Sequence, residues 1–312
     1  MTPPRMVLIL TENETMRPAP VVTDLVDMAV TAEDAGFDAV MVSEHVVLGP
    51  SADAAGRPAN RRDYALPGNQ DPATPWPAPL PLLAAVAART TRLRLVAGAL
   101  ISPLRHPLTT AKELATLDRL SRGRLVVLPT VSWHRDEYDA LGVPFARRGA
   151  LLDEQLEVWA GAWKGSPFRH DGDAYRFGDV WLEPKPWRAA GPPLWFGGSS
   201  VHDRLVRRLV RYGSGFNPLG TPTDDELARL HAALRDAGRD PDGVEHVGGT
   251  RGRFPAADRP ADLDEALGTI PAQLARGFGS ICIKPSQFID DLEGFATWCD
   301  TVITKVTALG SR

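Results

Sequence analysis

Little in this 312-residue sequence points to disulfides, a membrane or nucleic acid. Its two cysteines, Cys282 and Cys299, stand in apolar segments typical of a protein core, so we expect no disulfide framework. No apolar run approaches the roughly 20 residues that span a bilayer, and the N-terminal run is too short for a signal peptide. The 35 basic and 39 acidic side chains leave no basic excess for nucleic acid. We expect a cytoplasmic protein that acts on a small molecule.

Two familiar site motifs are also missing. His134 is followed by Arg-Asp-Glu, which lacks the H-E-x-x-H spacing of zinc proteases, and no other His, Cys or Asp group has metal-ligand spacing. No G-x-G-x-x-G follows the first apolar run, where a dinucleotide-binding fold would place it. The sequence therefore predicts neither a metal site nor a Rossmann-type site.

What the sequence does contain is a regular alternation of short apolar runs and helical patterns. Such alternation predicts parallel β/α units, and eight units predict a closed (β/α)8 TIM barrel of the α/β class. An open doubly wound sheet is the alternative. The predicted strands cover residues 6–11, 39–42, 93–100, 125–128, 194–196, 213–217, 244–249 and 280–283.

Two long segments interrupt the alternation within a predicted single domain over residues 1–312. Residues 49–79 are rich in Pro and Gly and show no period, which is typical of a lid or binding loop. Residues 164–191 predict a small hairpin or excursion. Near the C-terminus, the spacing predicts one helix over residues 263–276 and another over residues 288–309.

The reacting groups of a TIM barrel lie at the carboxyl ends of its strands. His45 follows the second strand and is the leading catalytic candidate, because an imidazole can give or take a proton near neutral pH. The alternative is a structural histidine held by Glu44. Glu12, after the first strand, could supply a second acid or base, although a carboxylate there is often only a turn or cap group.

Polar residues also follow the fourth strand. Thr130, Ser132 and His134 could hydrogen-bond the edge of a heterocycle, or Ser132 could simply cap the next helix. The two interpretations stay open on the sequence alone.

The fifth strand runs into a turn made of Gly197, Gly198, Ser199 and Ser200. Glycines let a backbone approach a ligand closely, and a helix start capped by one of the serines favours an anion. The turn is therefore a candidate phosphate cradle, and the alternative is an ordinary serine-capped turn.

Other side chains have a favoured structural interpretation and a functional alternative. Lys284, after the eighth strand, is expected in an ion pair or an anion contact rather than as a Schiff-base nucleophile. Four arginines on one helical face are expected to be solvated, with contact to an anionic cofactor as the alternative; they are Arg204, Arg207, Arg208 and Arg211. The tryptophans at 133, 181, 187 and 195 suggest an aromatic pocket or simply core packing.

Four blocks of sequence, in order, resemble the bacterial luciferase-like monooxygenase superfamily. They are AEDAGFDAVMVSEH, LAAVAARTTRLRLVAGALISPLRHPLTTAKELATLDRLSRGRLVV, DEYDALGVPFARRGALLDEQLEVW and PPLWFGGSS. Within that superfamily, the sequence is more similar to the branch of oxidoreductases that use the deazaflavin coenzyme F420.

This resemblance implies an insertion-bearing (β/α)8 barrel, a flavin or deazaflavin at its carboxyl-end mouth, and commonly a homodimer. It places His45 in the proton-handling position and Glu44 where the family usually has Asp. It implies a bulge with a non-proline cis peptide behind the cofactor ring at Ile101 and Ser102, and a cofactor phosphate at Gly197 to Ser200. Residues 128–134 replace the family's usual glycine-rich end of the fourth strand.

We therefore expect hydride transfer between coenzyme F420 and a small organic substrate, with His45 supplying or accepting the proton. One alternative is a monooxygenase that uses reduced FMN and O2. Alternatives of other classes are a Schiff-base lyase acting through Lys284 and a barrel that binds a flavin without turnover.

Overall fold

The eight apolar runs become eight parallel strands that close into a barrel in the computed structural model, which describes residues 3–16 and 21–310. Strand β1 (Arg5–Ile9) pairs with β2 (Ala39–Val42) on one side and with the last strand, β10 (Phe278–Ile283), on the other. This closure confirms the (β/α)8 barrel and excludes the open sheet, which would leave two unpaired edges. The remaining barrel strands are β3 (Arg94–Ile101), β4 (Leu125–Thr130), β7 (Leu194–Phe196), β8 (Gly213–Phe216) and β9 (Glu245–Gly249), in the order β1-β10-β9-β8-β7-β4-β3-β2.

Helices surround the barrel. They are α1 (Val22–Ala35), α2 (Pro79–Arg89), α3 (Pro107–Leu120), α4 (Arg135–Ala140), α5 (Arg148–Lys164), α6 (Asp203–Tyr212), α7 (Asp224–Asp236), α8 (Leu263–Leu267), α9 (Ile270–Ala275) and α10 (Phe295–Gly310). The predicted helix over residues 263–276 is two short helices, because Pro271 has no N–H to donate to the carbonyl of Leu267. The last helix begins at Phe295 rather than at 288, after a turn in which Asp291 accepts a hydrogen bond from the Gly294 N–H.

The core has two apolar layers, which explains why the strands are apolar on both faces. Val7, Met41 and Trp195 belong to the cluster inside the barrel, whereas Leu8 and Val40 belong to the layer between the strands and the helices. Cys282 is buried in the inner cluster and Cys299 in the outer one. Burial raises the pKa of each thiol to about 12.

Charged side chains form a floor at the amino ends of the strands. Arg94 donates two hydrogen bonds to Glu245, at 2.9 and 2.8 Å, and the Ser280 hydroxyl donates to the same carboxylate at 2.6 Å. The Arg94 guanidinium also lies 5.3 Å from the ring centre of Trp195 in the barrel interior. Burial alone would raise the pKa of Glu245, but the hydrogen bonds and charge of Arg94 hold it below its usual value.

The two interruptions fall outside the barrel. Residues 49–78 join β2 to α2 and include a short 3-10 helix, Pro50–Asp53. Residues 165–193 carry an antiparallel hairpin of β5 (Phe168–Asp171) and β6 (Arg176–Val180), in agreement with the predicted excursion. Within the described ranges, no helix is both long and apolar enough to cross a bilayer. The predicted domain over 1–312 also includes residues 1, 2, 17–20, 311 and 312, which lie outside the described residues.

Candidate active site

The carboxyl ends of all eight barrel strands lie at one end of the molecule, because the strands are parallel. His45 follows β2 and Gly197 follows β7, so the two positions share this mouth. The candidate residues after the other strands therefore open onto the same face.

His45 is buried beside a carboxylate that the sequence analysis did not identify. Its Nδ1 lies 3.2 Å from Oε1 of Glu137, a fully buried residue of α4. The same Oε1 accepts a hydrogen bond from the Val46 N–H at 2.7 Å, and the other oxygen accepts one from the Ser132 hydroxyl at 3.2 Å. Glu137 therefore contacts both the histidine and the backbone that follows it. One feature of the sequence could have identified Glu137. It stands three residues after His134, which precedes the helix, and a side chain at that position can reach back past the helix start.

Aromatic rings surround His45. The ring centre of Trp76 is 5.1 Å away and that of Trp133 is 5.8 Å away, both edge to face. Trp76 comes from the loop of residues 49–78, so this loop brings an apolar wall onto the candidate proton-handling group. Of the four tryptophans from which an aromatic pocket was predicted, only Trp133 lies beside His45: Trp195 lies inside the barrel, and Trp181 and Trp187 are 67% and 54% exposed.

His134 is fully buried and has a defined role in the loop. Its Nε2 accepts a hydrogen bond from the Gly49 N–H at 2.8 Å, so the neutral ring carries its proton on Nδ1. Burial also lowers the pKa of His134. In the described part of the chain, Nδ1 has no hydrogen-bond partner. An N–H donor is therefore left at the mouth of the barrel.

The start of the 49–78 loop is fixed on α4. Asp136 accepts hydrogen bonds from both the N–H and the hydroxyl of Ser51, at 3.0 and 2.9 Å, and these bonds lower the pKa of the carboxyl. A Cβ on Gly49 would lie 2.4 Å from the Asp136 side chain, so only glycine fits there. Ser132 does not cap α4; His134 is at the cap position, and Ser132 adopts a left-handed φ of 57° that lets its hydroxyl accept from the His134 N–H.

Glu44 faces the protein rather than the open mouth. One carboxylate oxygen accepts a hydrogen bond from the Ile101 N–H at 2.8 Å, and Arg105 forms an ion pair with both oxygens. The Glu44 side chain is 1% exposed. Its contacts therefore hold the end of β3 in place, and Arg105 is a second residue that the sequence analysis missed. Ser102 is fully buried and donates to the Leu100 carbonyl at 3.3 Å.

The bulge of β3 lies earlier than the resemblance implied. The non-proline cis peptide joins Gly98 to Ala99, and the register of β3 against β4 shifts between Gly98 and Leu100. The expectation of this feature at Ile101 and Ser102 was wrong. A Cβ on Gly98 would lie 3.1 Å from Val96 and 3.2 Å from Met41, so the bulge falls at a glycine with little room for a side chain. Ile101 instead pairs in register with Thr130, which is partly exposed at the end of β4.

In the glycine-serine turn after β7, Gly197 lies against the backbone of the segment that follows β8. A Cβ on Gly197 would lie 1.7 Å from the Asn217 carbonyl oxygen, so no other residue fits without a backbone shift. A small cavity of about 30 Å³ is lined by Gly198, Ser199, Ser200 and the segment after β8. The predicted serine cap was wrong: the Nδ1 of His202 accepts the Leu205 N–H at 3.2 Å and caps α6. Both serines are exposed.

The arginines of α6 mostly face α5 rather than the turn. Arg208 donates to Asp153 at 2.6 Å, and Arg211 donates to Glu157 at 2.8 Å. Arg204 lies 3.6 Å from the same Asp153, whereas Arg207 is exposed. Ion pairs between neighbouring helices therefore account for three of the four arginines.

Glu12 and Lys284 meet at the seam where β1 pairs with β10. Their charged atoms are 3.7 Å apart, Lys284 donates to the Asp63 carbonyl at 2.9 Å, and the Ala65 N–H donates to Glu12 at 2.9 Å. Lys284 is thus in an ion pair, as favoured, and both residues hold the loop of residues 49–78. Glu12 has a left-handed φ of 64°, which turns the chain sharply after β1.

A larger cavity, which we call the loop cavity, lies between this seam and the loop. Its volume is about 540 Å³, and its walls are Glu12, Glu14, Thr15, parts of residues 57–76, and Lys284. This volume is in the range of small-molecule sites. Trp76 lines the loop cavity and also contacts His45, so the cavity adjoins the candidate proton-handling group.

The mouth of the barrel fits a heterocyclic cofactor with a phosphate. Among the described residues, the buried donors His134 Nδ1 and Trp76 Nε1 lack hydrogen-bond partners, and a bound heterocycle offers acceptors. The Gly197 turn lies before the start of α6, and its small cavity is also lined by Glu226, which accepts a hydrogen bond from the Val201 N–H at 3.1 Å. Within residues 3–16 and 21–310, no group of three or more His, Cys, Asp or Glu side chains is arranged to hold a metal ion.

Comparison with known proteins agrees with this arrangement. A family model described as luciferase-like monooxygenase matches residues 4–278. An uncharacterized protein of Mycobacterium tuberculosis is 35% identical over 216 residues, which is 67% of this chain and 73% of that protein. The FMNH2-dependent dimethylsulfone monooxygenase of Pseudomonas putida is 35% identical over 156 residues, or 47% of this chain and 43% of that protein.

A solved structure shares the fold over almost the whole chain. The coenzyme F420-dependent tetrahydromethanopterin reductase from Methanopyrus kandleri superposes with a TM-score of 0.70, covers 99% of each chain and is 14% identical. At this identity the likeness concerns the fold alone.

Proposed function

This chain belongs to the luciferase-like monooxygenase family, and from that premise we propose that it transfers a hydride between coenzyme F420 and a small organic substrate. The observation that carries the proposal is the buried pair of His45 and Glu137, 3.2 Å apart at the mouth of the barrel. Moving a hydride to or from a carbonyl or an activated double bond also requires a proton, and this pair is placed to handle it.

When bound, the deazaflavin would supply the carbon that gives or accepts the hydride. The Gly197 to Ser200 turn would hold its phosphate, and Thr130, Ser132 and His134 would face its polar edge. The bulge of β3 at Gly98 and Ala99 would support the ring. The residues of the 49–79 segment would act as a lid that excludes water, and the resemblance adds a homodimer to this proposal.

The chain's own groups define how the proton moves. Nδ1 of His45 faces Glu137, so Nε2 on the other edge of the ring is the nitrogen left to exchange a proton with the substrate. The Glu137 carboxylate, 3.2 Å from Nδ1, would balance the positive charge of the ring when it takes up a proton, and its bond from the Val46 N–H holds the backbone next to His45. Glu12 accepts a hydrogen bond from the Ala65 N–H and pairs with Lys284, so its role is to hold the loop of residues 49–78 rather than to transfer a proton.

A second candidate is an FMN-dependent monooxygenase, because a 35% identical relative is an FMNH2-dependent dimethylsulfone monooxygenase. Both candidates use the same turn and the same mouth. Lys284 forms a buried ion pair with Glu12. The Schiff-base alternative requires a free amine, so this contact argues against it.

Cofactor titration tests the proposal. Purified protein is mixed with F420 and, separately, with FMN, and binding is followed by cofactor fluorescence and absorbance. We expect saturable binding of F420. Saturable binding of FMN with no response to F420 would overturn the cofactor choice in favour of the monooxygenase, and binding of neither would overturn the proposal as a whole.

A further inference from the structure

The loop cavity has a wall that is unusually rich in polar groups for its size. Glu12, Glu14, Asp63 and Asp71 contribute carboxylates, and Arg57, Arg61 and Lys284 contribute cations. Most small-molecule pockets are lined mainly by apolar side chains with a few polar ones. The polar wall is therefore a property of this site that needs a physical reason.

Many of these charges already have partners. Arg57 lies 2.8 Å from Asp71, and Lys284 is paired with Glu12. Asp63 accepts a bidentate pair of bonds from Arg251, at 3.1 and 2.7 Å. These pairs hold the loop against the ends of β1, β9 and β10, so they shape the cavity without needing a ligand.

A second group of polar atoms has no such explanation. Among the described residues, Oε1 of Gln70, Oγ1 of Thr15 and Nε1 of Trp76 are buried without a hydrogen-bond partner. Gln70 is 5% exposed. Buried polar groups are normally paired, so a wall with an acceptor, a hydroxyl and a donor left over indicates a ligand that supplies the missing bonds.

Glu14 adds a carboxyl to this second group. Within the described ranges it has no ion pair; burial raises its pKa, and a hydrogen bond from its own backbone N–H and the charges of Lys284 and Arg61 oppose that rise. A carboxyl in these surroundings can exchange hydrogen bonds with a hydroxyl group, whose one donor and two acceptor sites match it in either protonation state.

We propose that the loop cavity is the substrate subsite of this enzyme and that it takes a small molecule bearing several hydroxyl groups rather than a long apolar chain. The proposal rests on the function proposed above, which makes the neighbouring His45 the proton-handling group. An apolar chain in this cavity would leave the buried polar atoms of Gln70, Thr15 and Trp76 without partners, and each such group costs free energy. A hydroxyl-bearing molecule would satisfy them.

Arg61 extends the proposal to the open side of the cavity. It is exposed, no ion pair or hydrogen bond involves it in the described part of the chain, and its positive charge acts on Glu14 across the cavity wall. A terminal phosphate on the substrate would meet this cation, so phosphorylated polyols should bind more tightly than neutral ones.

Direct binding measurements on the full chain test the proposal. Saturation-transfer NMR and tryptophan fluorescence are recorded with erythritol, ribitol and sorbitol, with ribitol 5-phosphate, and with 1-decanol as the apolar probe. We expect saturable binding of at least one polyol, at least fivefold tighter binding of ribitol 5-phosphate than of ribitol, and no saturable binding of 1-decanol. Failure of all three polyols and the phosphate to bind, or saturable binding of 1-decanol in their place, would overturn the proposal.

Matched variants locate the binding. Glu14→Leu should weaken polyol binding at least fivefold, whereas Glu113→Leu on the exposed face of α3 should not change it. Arg61→Leu should remove the advantage of the phosphate, whereas Arg207→Leu should retain it. Polyol binding that Glu14→Leu and Arg61→Leu leave unchanged would place the site elsewhere and overturn the assignment.

The same samples are titrated with F420 and FMN, which separates the two proposals. Cofactor binding without any polyol binding would overturn the subsite alone. Polyol binding without any cofactor binding would leave a hydroxyl-binding cavity and overturn the proposed function.

Discussion

Glu137 is the residue on which the candidate proton-handling group depends most directly. It is fully buried and connects His45, the Val46 N–H and the Ser132 hydroxyl. A buried carboxylate beside an imidazole stabilises its charged form and fixes its orientation. Glu137 positions His45 and balances its charge, and it does not contact the substrate.

Replacing Glu137 by Gln tests this role. The amide retains an acceptor for the Val46 N–H but removes the negative charge next to His45. We expect kcat to fall roughly 10- to 100-fold, less than most of the roughly 10²- to 10⁴-fold that general acid–base catalysis contributes, because His45 itself is retained, while cofactor affinity changes little. Steady-state kinetics and cofactor titration measure the two quantities.

The control for this variant is Ser132→Ala, which removes one bond to Glu137 and leaves the charge. It should lower kcat far less than Glu137→Gln. Equal losses in the two variants, or a Glu137→Gln enzyme with unchanged kcat, would contradict the assigned role.

Residue by residue, the sequence could nominate candidates but not their partners. His45, Glu12 and Lys284 follow strand ends, and the rule that barrel sites lie at those ends selects them. No spacing rule links the three missed residues to a strand end. Glu137 lies on α4, Arg105 lies in the segment that precedes α3, and Trp76 lies in the loop of residues 49–78. The cap of α6 also depends on the path of the turn, which placed His202 rather than a serine at the helix start.

Among the elements, the turn between β7 and α6 offers the sharpest test. A Cβ on Gly197 would collide with the Asn217 carbonyl at 1.7 Å, whereas a Cβ on Gly198 would make an ordinary 3.5 Å contact with Leu205. Gly197→Ala must shift the turn, and we expect it to weaken binding of the phosphate-bearing cofactor about tenfold, the effect of one lost charge-assisted hydrogen bond.

The matched control is Gly198→Ala, which should leave cofactor binding within about twofold. The cofactor form without its phosphate, riboflavin in place of FMN or the bare deazaflavin in place of F420, should be insensitive to both substitutions. Equal weakening of the two cofactor forms by Gly197→Ala would show that the turn does not hold the phosphate.

The contact between α7 and β9 is expected to make the fold sensitive to acid. Nε2 of His231 lies 3.0 Å from Nε2 of His246, and the Nδ1 of His246 lies 2.8 Å from the Val244 carbonyl, to which it donates. Burial lowers the pKa of both rings. Each ring therefore binds a proton less readily in the folded chain than in the unfolded one, and stability is lost as pH falls below the ordinary histidine pKa of about 6.5.

His246→Asn tests this sensitivity, because the amide can still donate to Val244 but cannot titrate. We expect the free energy of unfolding of the natural chain to decrease from pH 7.5 to pH 5.5 and the variant to lose part of that decrease. Denaturant unfolding across this pH range measures it. His106→Asn, at the exposed start of α3 where asparagine also caps, should retain the full decrease; an unchanged slope in His246→Asn would contradict the prediction.

At the scale of the whole molecule, the charged floor contributes to closing the barrel. Glu245 on β9 joins Arg94 on β3 and Ser280 on β10, three strands that do not all neighbour one another. The folded-state pKa of Glu245 is lowered, so the stabilisation is present above its ordinary pKa and is lost as pH falls through the folded value.

Glu245→Gln should lower the free energy of unfolding by about 2 kcal/mol at pH 7, less than for a fully buried pair because Arg94 is partly exposed. The difference from the natural chain should shrink as the pH falls below about 4. Glu157→Gln, which breaks an exposed pair with Arg211, should cost less than about 1 kcal/mol. Denaturant unfolding compares the three proteins, and equal losses from the two substitutions would refute the special role of the floor.

The architecture was predictable from the sequence, whereas the shape of the mouth was not. Strands buried on both faces give continuous apolar runs, and this local signal identified all eight barrel strands. The loop of residues 49–78 gives no such signal, because its path depends on distant partners. Asn60 donates to the carbonyls of Ala256 and Arg259, and Arg62 donates to that of Asp258.

These long-range ties have a consequence for biosynthesis. The loop is made early, but its anchors after β9 and β10 are made much later, and Lys284 is itself part of the cavity wall. A nascent chain that has so far produced only β1 to β8 therefore carries a loop that is held by α4 and Glu12 but lacks its later anchors. On the ribosome, the compartment beside His45 can assemble only once the final strand has emerged, so truncated products would lack it.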